Sequence, residues 1–316
     1  MTCMLCGGAE FEVIADRLRH DVPRRVMRCR SCELVCLENP GADAVNYAQP
    51  EYRKQHGPVL GKESTPAEMF EISLPRQQER VARIRGLLGP EKEVLEVGCS
   101  TGHFLHSVRP HVKRAAGIEP NPAHAAFARE SIGLEVVDRH LEDSGFATGQ
   151  FDILFMFQVL EHIADPLPFL AHCRRLLKPG GTLYLEVPNL DDALLSVYAL
   201  PAYRNFYFRS PHVYYYSGPT LLRLLQRAGF AGRTFSAQAY SLFNHVHWIQ
   251  NERPQATQAE GCELPRWSSP VSGNQASAKV RSWMADADRG YRELLVQLGK
   301  GELLCFEGKA GSTSPL

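Results

Sequence analysis

Four cysteines near the N-terminus have the spacing of a metal site. Cys3 and Cys6 form one Cys-x-x-Cys pair, Cys29 and Cys32 form a second, and 22 residues separate the two pairs. Each pair suits a tight turn, and four thiolates can close a tetrahedral shell around one zinc ion, which makes such a site structural. The spacing therefore predicts a structural zinc, although Glu33 stands where the second turn more often has glycine.

The two cysteine pairs resemble a zinc ribbon, which we expect to cover residues 1–39. The ribbon would end at the turn signal Asn39-Pro40-Gly41. Reduced or disulfide-bonded cysteines are the alternative, and a cytoplasmic location disfavours disulfides.

A second candidate ligand site lies in the run Glu93-Val-Leu-Glu-Val-Gly-Cys-Ser-Thr-Gly-His-Phe-Leu105. Its apolar first half predicts a buried strand, and Gly98 and Gly102 let the backbone approach a ligand before a helix offers free N–H groups. The same turn satisfies the pattern Gly-x-Ser-x-Gly, in which Ser100 would be the nucleophile of a hydrolase. The turn therefore indicates either a bound cofactor or an acyl-transfer site.

The residues after the turn separate these two hypotheses. A second apolar strand, residues 115–118, ends in Glu119, about 20 residues past the turn, where a ribose diol would find an acceptor. A hydrolase has no use for that acid. Together with Glu96 and the run Phe151-Asp-Ile-Leu-Phe-Met-Phe-Gln-Val-Leu-Glu-His162, the sequence resembles the class I S-adenosylmethionine-dependent methyltransferases.

This resemblance is strongest over residues 90–230 and implies an α/β fold. The fold would be a Rossmann-like seven-stranded sheet with helices on both faces, ending in an antiparallel pair. The implied cofactor is S-adenosylmethionine, with its methionine part at the glycine turn, its ribose at the acid, its adenine after the third strand and its sulfonium after the fourth. The implied contacts are Glu96, Gly98, Ser100, Gly102, Glu119, Pro120, Leu141, Phe157 and Gln158.

Two histidines are candidate bases, which some methyl transfers need to remove a proton from the acceptor. His162 follows the fourth strand, and its alternative role is packing within a helix. His212 lies in the run Pro211-His-Val-Tyr-Tyr-Tyr-Ser217, which resembles the Glu-His-x-x-Tyr-Phe-Ser run of sugar C-methyltransferases, where this histidine is considered catalytic. Pro211 replaces the glutamate and the chain ends before the large C-terminal domain of those enzymes, so sugar O-methylation is also expected. An aromatic loop that caps the next helix is the structural alternative.

Composition agrees with a folded enzyme domain that carries additions. The chain has 316 residues, of which 44% are hydrophobic and 22% charged. Basic and acidic residues number 35 each, so no net positive charge attracts nucleic acid or an anionic membrane. No apolar run reaches membrane-spanning length, and the N-terminus lacks the features of a signal peptide. We therefore expect a cytoplasmic protein that binds neither nucleic acid nor a membrane. The sequence does not predict the oligomeric state.

Alternating strand and helix patterns predict how these groups are positioned. Residues 40–89 form a connector and a helix that could cover the cofactor, and residues 90–238 with 301–310 form the core. A turn at residues 178–181 precedes the fifth strand. Residues 239–300 are predicted to be an insertion that caps the acceptor site. Candidate acceptor contacts are His245, His247, Tyr198, Tyr203, Tyr207, Phe208, Arg204 and Arg209.

The leading hypothesis is a zinc-ribbon methyltransferase whose acceptor is a small or carrier-linked molecule, above all a sugar, methylated at oxygen or carbon. The alternatives are methylation of a non-sugar metabolite, a serine hydrolase that uses Ser100, and a non-catalytic binding module built on the ribbon. A magnesium-dependent mechanism is disfavoured because the fourth strand ends in Phe157-Gln158 without an aspartate ligand.

Overall fold

The computed structural model of the protein describes residues 1–41, 63–266 and 275–311. Most of the predicted connector before the first helix lies outside these ranges, as do residues 267–274 of the predicted insertion. Among the described residues, no helix combines the length and the apolar character that a membrane crossing requires.

Eleven strands occur in the described residues. They are β1 (Phe11–Leu18), β2 (Val22–Cys29), β3 (Val35–Leu37), β4 (Glu93–Val97), β5 (Arg114–Ile118), β6 (Glu135–Val137), β7 (Phe151–Phe157), β8 (Leu177–Pro188), β9 (Tyr214–Tyr215), β10 (Phe230–Ala237) and β11 (Leu303–Ala310).

The same part of the chain contains eleven α-helices. They are α1 (Pro66–Ser73), α2 (Gln77–Ile84), α3 (His103–Val108), α4 (Pro122–Glu130), α5 (Pro166–Leu176), α6 (Ala193–Ser196), α7 (Pro201–Tyr207), α8 (Gly218–Arg227), α9 (Leu242–Asn251), α10 (Gln258–Cys262) and α11 (Gln275–Gln297).

Seven strands form the large sheet, in the order β10-β11-β8-β7-β4-β5-β6. The five strands from β8 to β6 run parallel, and β11 is antiparallel to both of its neighbours. Three of the five residues of strand β4 are apolar, as expected where helices cover both faces of a parallel sheet, and Val94 and Leu95 are fully buried. The predicted α/β class, the seven-stranded sheet and its antiparallel ending are confirmed.

The N-terminal segment forms a smaller antiparallel sheet that is joined to the large domain. Strand β1 pairs with β2, and β2 with β3. The fourth strand of this sheet, β9, comes from the large domain: Val35 pairs with Tyr215 and Cys36 with Tyr214. The predicted ribbon therefore shares a sheet with the segment that follows His212, through the pairing of β3 with β9.

Two predicted element boundaries were wrong for identifiable reasons. The helical pattern at residues 67–88 is divided into α1 and α2 by a short 3-10 segment around Pro75, a residue that cannot donate a backbone hydrogen bond. The predicted turn at residues 178–181 is instead part of β8. There Gly180 has a φ of 71°, and the pairing with β7 shifts between Leu177 and Thr182.

Helices α9, α10 and α11 lie between β10 and β11, as the sequence predicts for an insertion before the last strand. Asp288 of α11 accepts a hydrogen bond of 2.7 Å from the backbone N–H of Leu242, the first residue of α9. Ser236 of β10 donates to the carbonyl oxygen of Val296 in α11. These bonds fix the helices against the end of the sheet.

Candidate active site and metal centre

The four N-terminal cysteines meet at one point. The Sγ atoms of Cys3 and Cys32 are 3.5 Å apart, as are those of Cys6 and Cys29, and all four lie within 4.8 Å of one another. Zn–S bonds of about 2.3 Å place the sulfurs of a tetrahedral shell about 3.8 Å apart, whereas a disulfide bond is about 2.05 Å long. This donor set fits a structural zinc.

Two equivalent turns position these thiols. The N–H of Gly7 donates to the carbonyl of Cys3, and the N–H of Glu33 donates to the carbonyl of Cys29. Gly7 and Glu33 both adopt left-handed backbone conformations, with φ values of 76° and 64°. Glutamate therefore occupies the position that favours glycine without changing the turn.

The turn between β4 and α3 is left-handed at alternate positions. Gly98, Ser100 and Gly102 have φ values of 76°, 50° and 79°. A Cβ at Gly98 would lie 2.6 Å from a methyl group of Val159, and one at Gly102 would lie 2.4 Å from a methyl group of Leu134. These two glycines are thus required by packing against the protein itself, in addition to any approach of a ligand.

Glu119, at the end of β5, is held next to this turn. Its carboxylate accepts hydrogen bonds from the backbone N–H groups of Ser100, at 2.8 Å, and Asn121, at 2.9 Å. The side chain is buried and lines a cavity. A carboxylate oxygen has two lone pairs, so Glu119 can still accept from a ligand diol in a fixed orientation.

A single cavity of about 1160 Å³ extends from the glycine turn to the insertion. Ligand pockets have typical volumes of roughly 300–1,000 Å³, so this cavity is large enough for a cofactor and an acceptor together. Among the predicted site residues, Glu96 and Gly102 lie behind its wall. The others line it: Gly98, Ser100, Glu119, Pro120, Leu141, Phe157, Gln158, His162 and His212.

Two buried polar atoms that belong to cavity-lining residues are available to a ligand. Arg76 Nη2, Gln158 Nε2 and Glu96 Oε2 have no hydrogen-bond partner among the described residues, and Arg76 and Gln158 line the cavity. A guanidinium matches the carboxylate of the methionine part of S-adenosylmethionine, and a fixed acceptor matches its ribose diol. The residues at this end of the cavity fit that cofactor.

The two candidate histidines are in contact with each other. Their ring centroids are 4.7 Å apart and the rings are perpendicular. His162 Nδ1 lies 2.8 Å from the carbonyl oxygen of Pro211 and must donate to it, which leaves the lone pair on Nε2. In the neutral ring, Nε2 of His162 is therefore the basic nitrogen.

His212 is held in the opposite tautomer. Arg209 Nε donates to His212 Nδ1 over 3.4 Å, so in the neutral ring the hydrogen is on Nε2. Both Nε2 atoms lie 3.9 Å from Glu161 Oε1, and burial raises the pKa of Glu161 to about 8. These ligand atoms lie close enough to share a cation, but His212 would have to give up its bond from Arg209. The geometry of the two histidines and Glu161 therefore favours proton transfer over cation binding.

The predicted acceptor contacts lie only partly at the cavity. His245, Tyr203 and Tyr207 line it, whereas His247 and Tyr198 do not. His245 Nδ1 is 2.6 Å from the hydroxyl of Tyr291, in a buried position. Tyr203 donates to Asp192 Oδ2 at 2.7 Å, and this bond fixes the position of its ring.

Some groups in the cavity or next to its histidines were not identified from the sequence. Glu161 stands beside His162 in the chain, and an acid within an apolar run was the signal that could have found it. Arg76 follows a proline in a polar helix, and Arg19 lies in the ribbon hairpin. Neither position has a local pattern that points to the cavity.

Fold and site together define an α/β protein that binds a nucleoside cofactor beside an acceptor cavity. A profile of the family described as "Methyltransferase domain" matches residues 70–234, just over half of the chain. The chain belongs to this family.

Two curated relatives are named ubiquinone biosynthesis O-methyltransferase. The protein from Pseudomonas aeruginosa is 35% identical over 111 residues, which cover 33% of this chain and 47% of the relative. The protein from Aromatoleum aromaticum is 26% identical over 188 residues, which cover 56% of this chain and 80% of the relative. The first match thus spans about half of the relative's length.

Solved structures of methyltransferases also match the chain. A protein from Thermotoga maritima, described as a possible histamine N-methyltransferase, has 21% identity and a TM-score of 0.47, covering 76% of this chain and 90% of that one. One from Archaeoglobus fulgidus has 17% identity and a TM-score of 0.49, covering 77% and 96%.

Proposed function

We propose that this protein transfers the methyl group of S-adenosylmethionine to an oxygen of a small or carrier-linked acceptor. The observation that carries the proposal is that one cavity is lined both by Glu119 and Arg76 and by the histidine pair. Membership of the methyltransferase domain family supports the reaction, and relatives named O-methyltransferases support oxygen over carbon.

Each part of the cavity has a separate task in this reaction. Bound S-adenosylmethionine supplies an electrophilic methyl group. Glu119 would orient the ribose, and Arg76 the carboxylate. His162 Nε2 would take the proton of the acceptor hydroxyl. Above the raised pKa of Glu161, about 8, the carboxylate 3.9 Å away would stabilise the positive ring that results. Enclosure by α1, α2 and the insertion would exclude water.

A sugar is the acceptor that we retain as a prediction. The aromatic rings of Tyr203 and Trp248 line the acceptor half of the cavity and lie 4.9 Å apart, edge to face. Such rings pack against the apolar faces of sugars, while Asp192 and the histidines offer hydrogen bonds to hydroxyl groups. Non-sugar metabolites with a ring and a hydroxyl are the remaining alternative.

Substitution of Glu119 tests the cofactor half of the proposal. Glu119→Gln keeps one carbonyl acceptor but loses the charge, and we expect the Kd for S-adenosylmethionine to rise about tenfold or more, since hydrogen bonds to charged groups contribute on the order of 1.5–3 kcal/mol. Calorimetric titration measures the change. Glu130→Ala, on the exposed end of α4, is the matched control. Wild-type affinity in Glu119→Gln, or no binding to the wild-type protein, would contradict the proposal.

A serine hydrolase is the second candidate because one contact favours it. Ser100 Oγ lies 3.1 Å from His124 Nδ1, and Ser100 has a strained φ of 50°, as an activated nucleophile would need. The backbone N–H of Ser100 is bound to Glu119, next to which a developing oxyanion would be repelled. We therefore expect no labelling by a fluorophosphonate probe; stoichiometric labelling that Ser100→Ala abolishes would reverse this choice.

A further inference from the structure

Two arginines from distant parts of the chain line the acceptor half of the cavity. Arg19 lies in the hairpin between β1 and β2, within the ribbon, and Arg209 lies in the loop after α7. Arg209 contacts His212 directly, so the two arginines are on the histidine side of the cavity. Glu119 and Arg76, which we assign to the cofactor, line the same cavity.

Arg19 is firmly positioned by the segment around α7. Its backbone N–H donates to the carbonyl of Phe208, at 2.7 Å, and its Nε donates to the carbonyl of Phe206, at 2.6 Å. The guanidinium carbon lies 3.4 Å from the centroid of the Phe206 ring. These contacts use one edge and one face of the guanidinium and leave both terminal nitrogens for another group.

Arg209 is held in a comparable way. Its backbone N–H donates to the hydroxyl of Tyr215, at 2.8 Å, and the same hydroxyl donates to its carbonyl oxygen, at 3.0 Å. Its Nε is bound to His212. The loop is therefore fixed on both sides of the side chain, and the terminal nitrogens of Arg209 remain available.

No carboxylate in the described ranges forms an ion pair with either arginine, in contrast to Arg80 and Arg83 of the same cavity, which share Glu186. Burial and the nearby charge of Arg209 lower the pKa of Arg19 to about 9. Two positive groups thus lie close together in a partly dry site, and Glu161, the carboxyl group whose pKa the charge of Arg209 lowers, is buried and has a pKa that burial raises overall. Such an arrangement is unfavourable unless a ligand supplies the negative charge.

We propose that Arg19 and Arg209 bind a phosphate group of the acceptor, so that the molecule to be methylated is a phosphate or diphosphate ester. Two guanidinium groups match the charge of a dianion, and their planar sets of donors match phosphate oxygens. A single carboxylate would leave one charge uncompensated. The assignment of the ligand as the acceptor rests on the proposed function, whereas the anion site itself does not.

This site also gives the ribbon a role in substrate recognition. Arg19 lies in the turn between β1 and β2 of the small sheet, yet it lines the cavity of the large domain. By stabilising the ribbon, the zinc site would thereby also hold Arg19, one of the two arginines of the proposed phosphate site.

The test is a calorimetric titration of the zinc-loaded full-length protein with pyrophosphate at constant ionic strength. We expect binding to the wild-type protein and an increase of the Kd of about tenfold or more in Arg19→Gln and in Arg209→Gln. Arg17→Gln is the control, because Arg17 is exposed on the same hairpin and pairs with Asp21. Melting temperatures and zinc contents confirm that each variant is folded.

Three results would overturn the proposal: no binding of pyrophosphate to the wild-type protein, wild-type affinity in both arginine variants, or equally tight binding of malonate, which would indicate a carboxylate site. Titration of the same samples with S-adenosylmethionine separates the two proposals. Arginine-dependent pyrophosphate binding without binding of that cofactor would retain the anion site and remove the proposed function.

Discussion

Replacement of His162 by alanine is expected to lower kcat for methyl transfer by about 10²–10⁴-fold, the usual contribution of a general base. The reason is the tautomer that Pro211 imposes, which leaves the lone pair of His162 on Nε2, at the cavity. Binding of S-adenosylmethionine should be unchanged, because Glu119 and the glycine turn are not altered. We expect a smaller loss for His212→Asn, since His212 acts through its position beside His162 and Glu161.

Turnover would be measured as transfer of a radioactive methyl group from S-adenosylmethionine, first to small-molecule extracts and then to the purified acceptor. His111→Ala is the matched control, because His111 is exposed and lies away from this cavity. If His162→Ala keeps the wild-type kcat and His212→Asn is inactive, His212 and not His162 is the base. Wild-type turnover in both variants would show that no histidine base is needed.

The cofactor half of the site could be predicted because its signals are local. A buried strand, a glycine turn and a helix follow one another directly, and Glu119 ends the next strand. Parallel neighbours in a sheet end at the same edge, so the turn and Glu119 had to meet. The four cysteines are a similar case, since tetrahedral ligation limits their spacing to a few patterns.

Individual residues of the acceptor half, such as His162 and His212, were predicted, but their arrangement was not, because it is assembled from distant segments. His212 contacts His162 because the backbone N–H of Val213 donates to the carbonyl of Glu161 at 2.9 Å, a bond between residues 52 positions apart. Arg19 reaches the cavity only because the ribbon packs on α7. Periodicity and turn chemistry describe single elements and contain no information on such packing.

Removal of the zinc is expected to abolish turnover as well as to unfold the ribbon. Zinc binding supplies roughly 10–16 kcal/mol of folding free energy in small zinc modules, an amount that the ribbon's apolar contacts with the large domain, such as those of Leu18, Val26 and Val35, would have to replace. Cys29 is the last residue of β2, and Cys29→Ser removes its thiolate from the group of four. We expect this variant to lose its zinc and the protection of residues 1–39 from proteolysis.

The loss of turnover follows from the connections between the ribbon and the histidines. The N–H of Leu37 in β3 donates to the carbonyl of Val213 at 3.0 Å, and the N–H of Val213 donates to the carbonyl of Glu161. Strand β3 also pairs with β9, just after His212. When the ribbon unfolds, the His212 segment loses its strand partner and Arg19 leaves the cavity, so the base and the acceptor are no longer aligned.

Cys36→Ala is the matched control for this prediction. Cys36 is buried in the same sheet but is not part of the four-cysteine group, so the variant should keep its zinc and its turnover. Because the cofactor turn lies on the large sheet, the Cys29→Ser protein should still bind S-adenosylmethionine with near wild-type affinity. That combination, binding without turnover, places the effect of zinc at the acceptor side. A zinc-free protein with wild-type kcat would show that the pairing of β3 with β9 does not position the histidines.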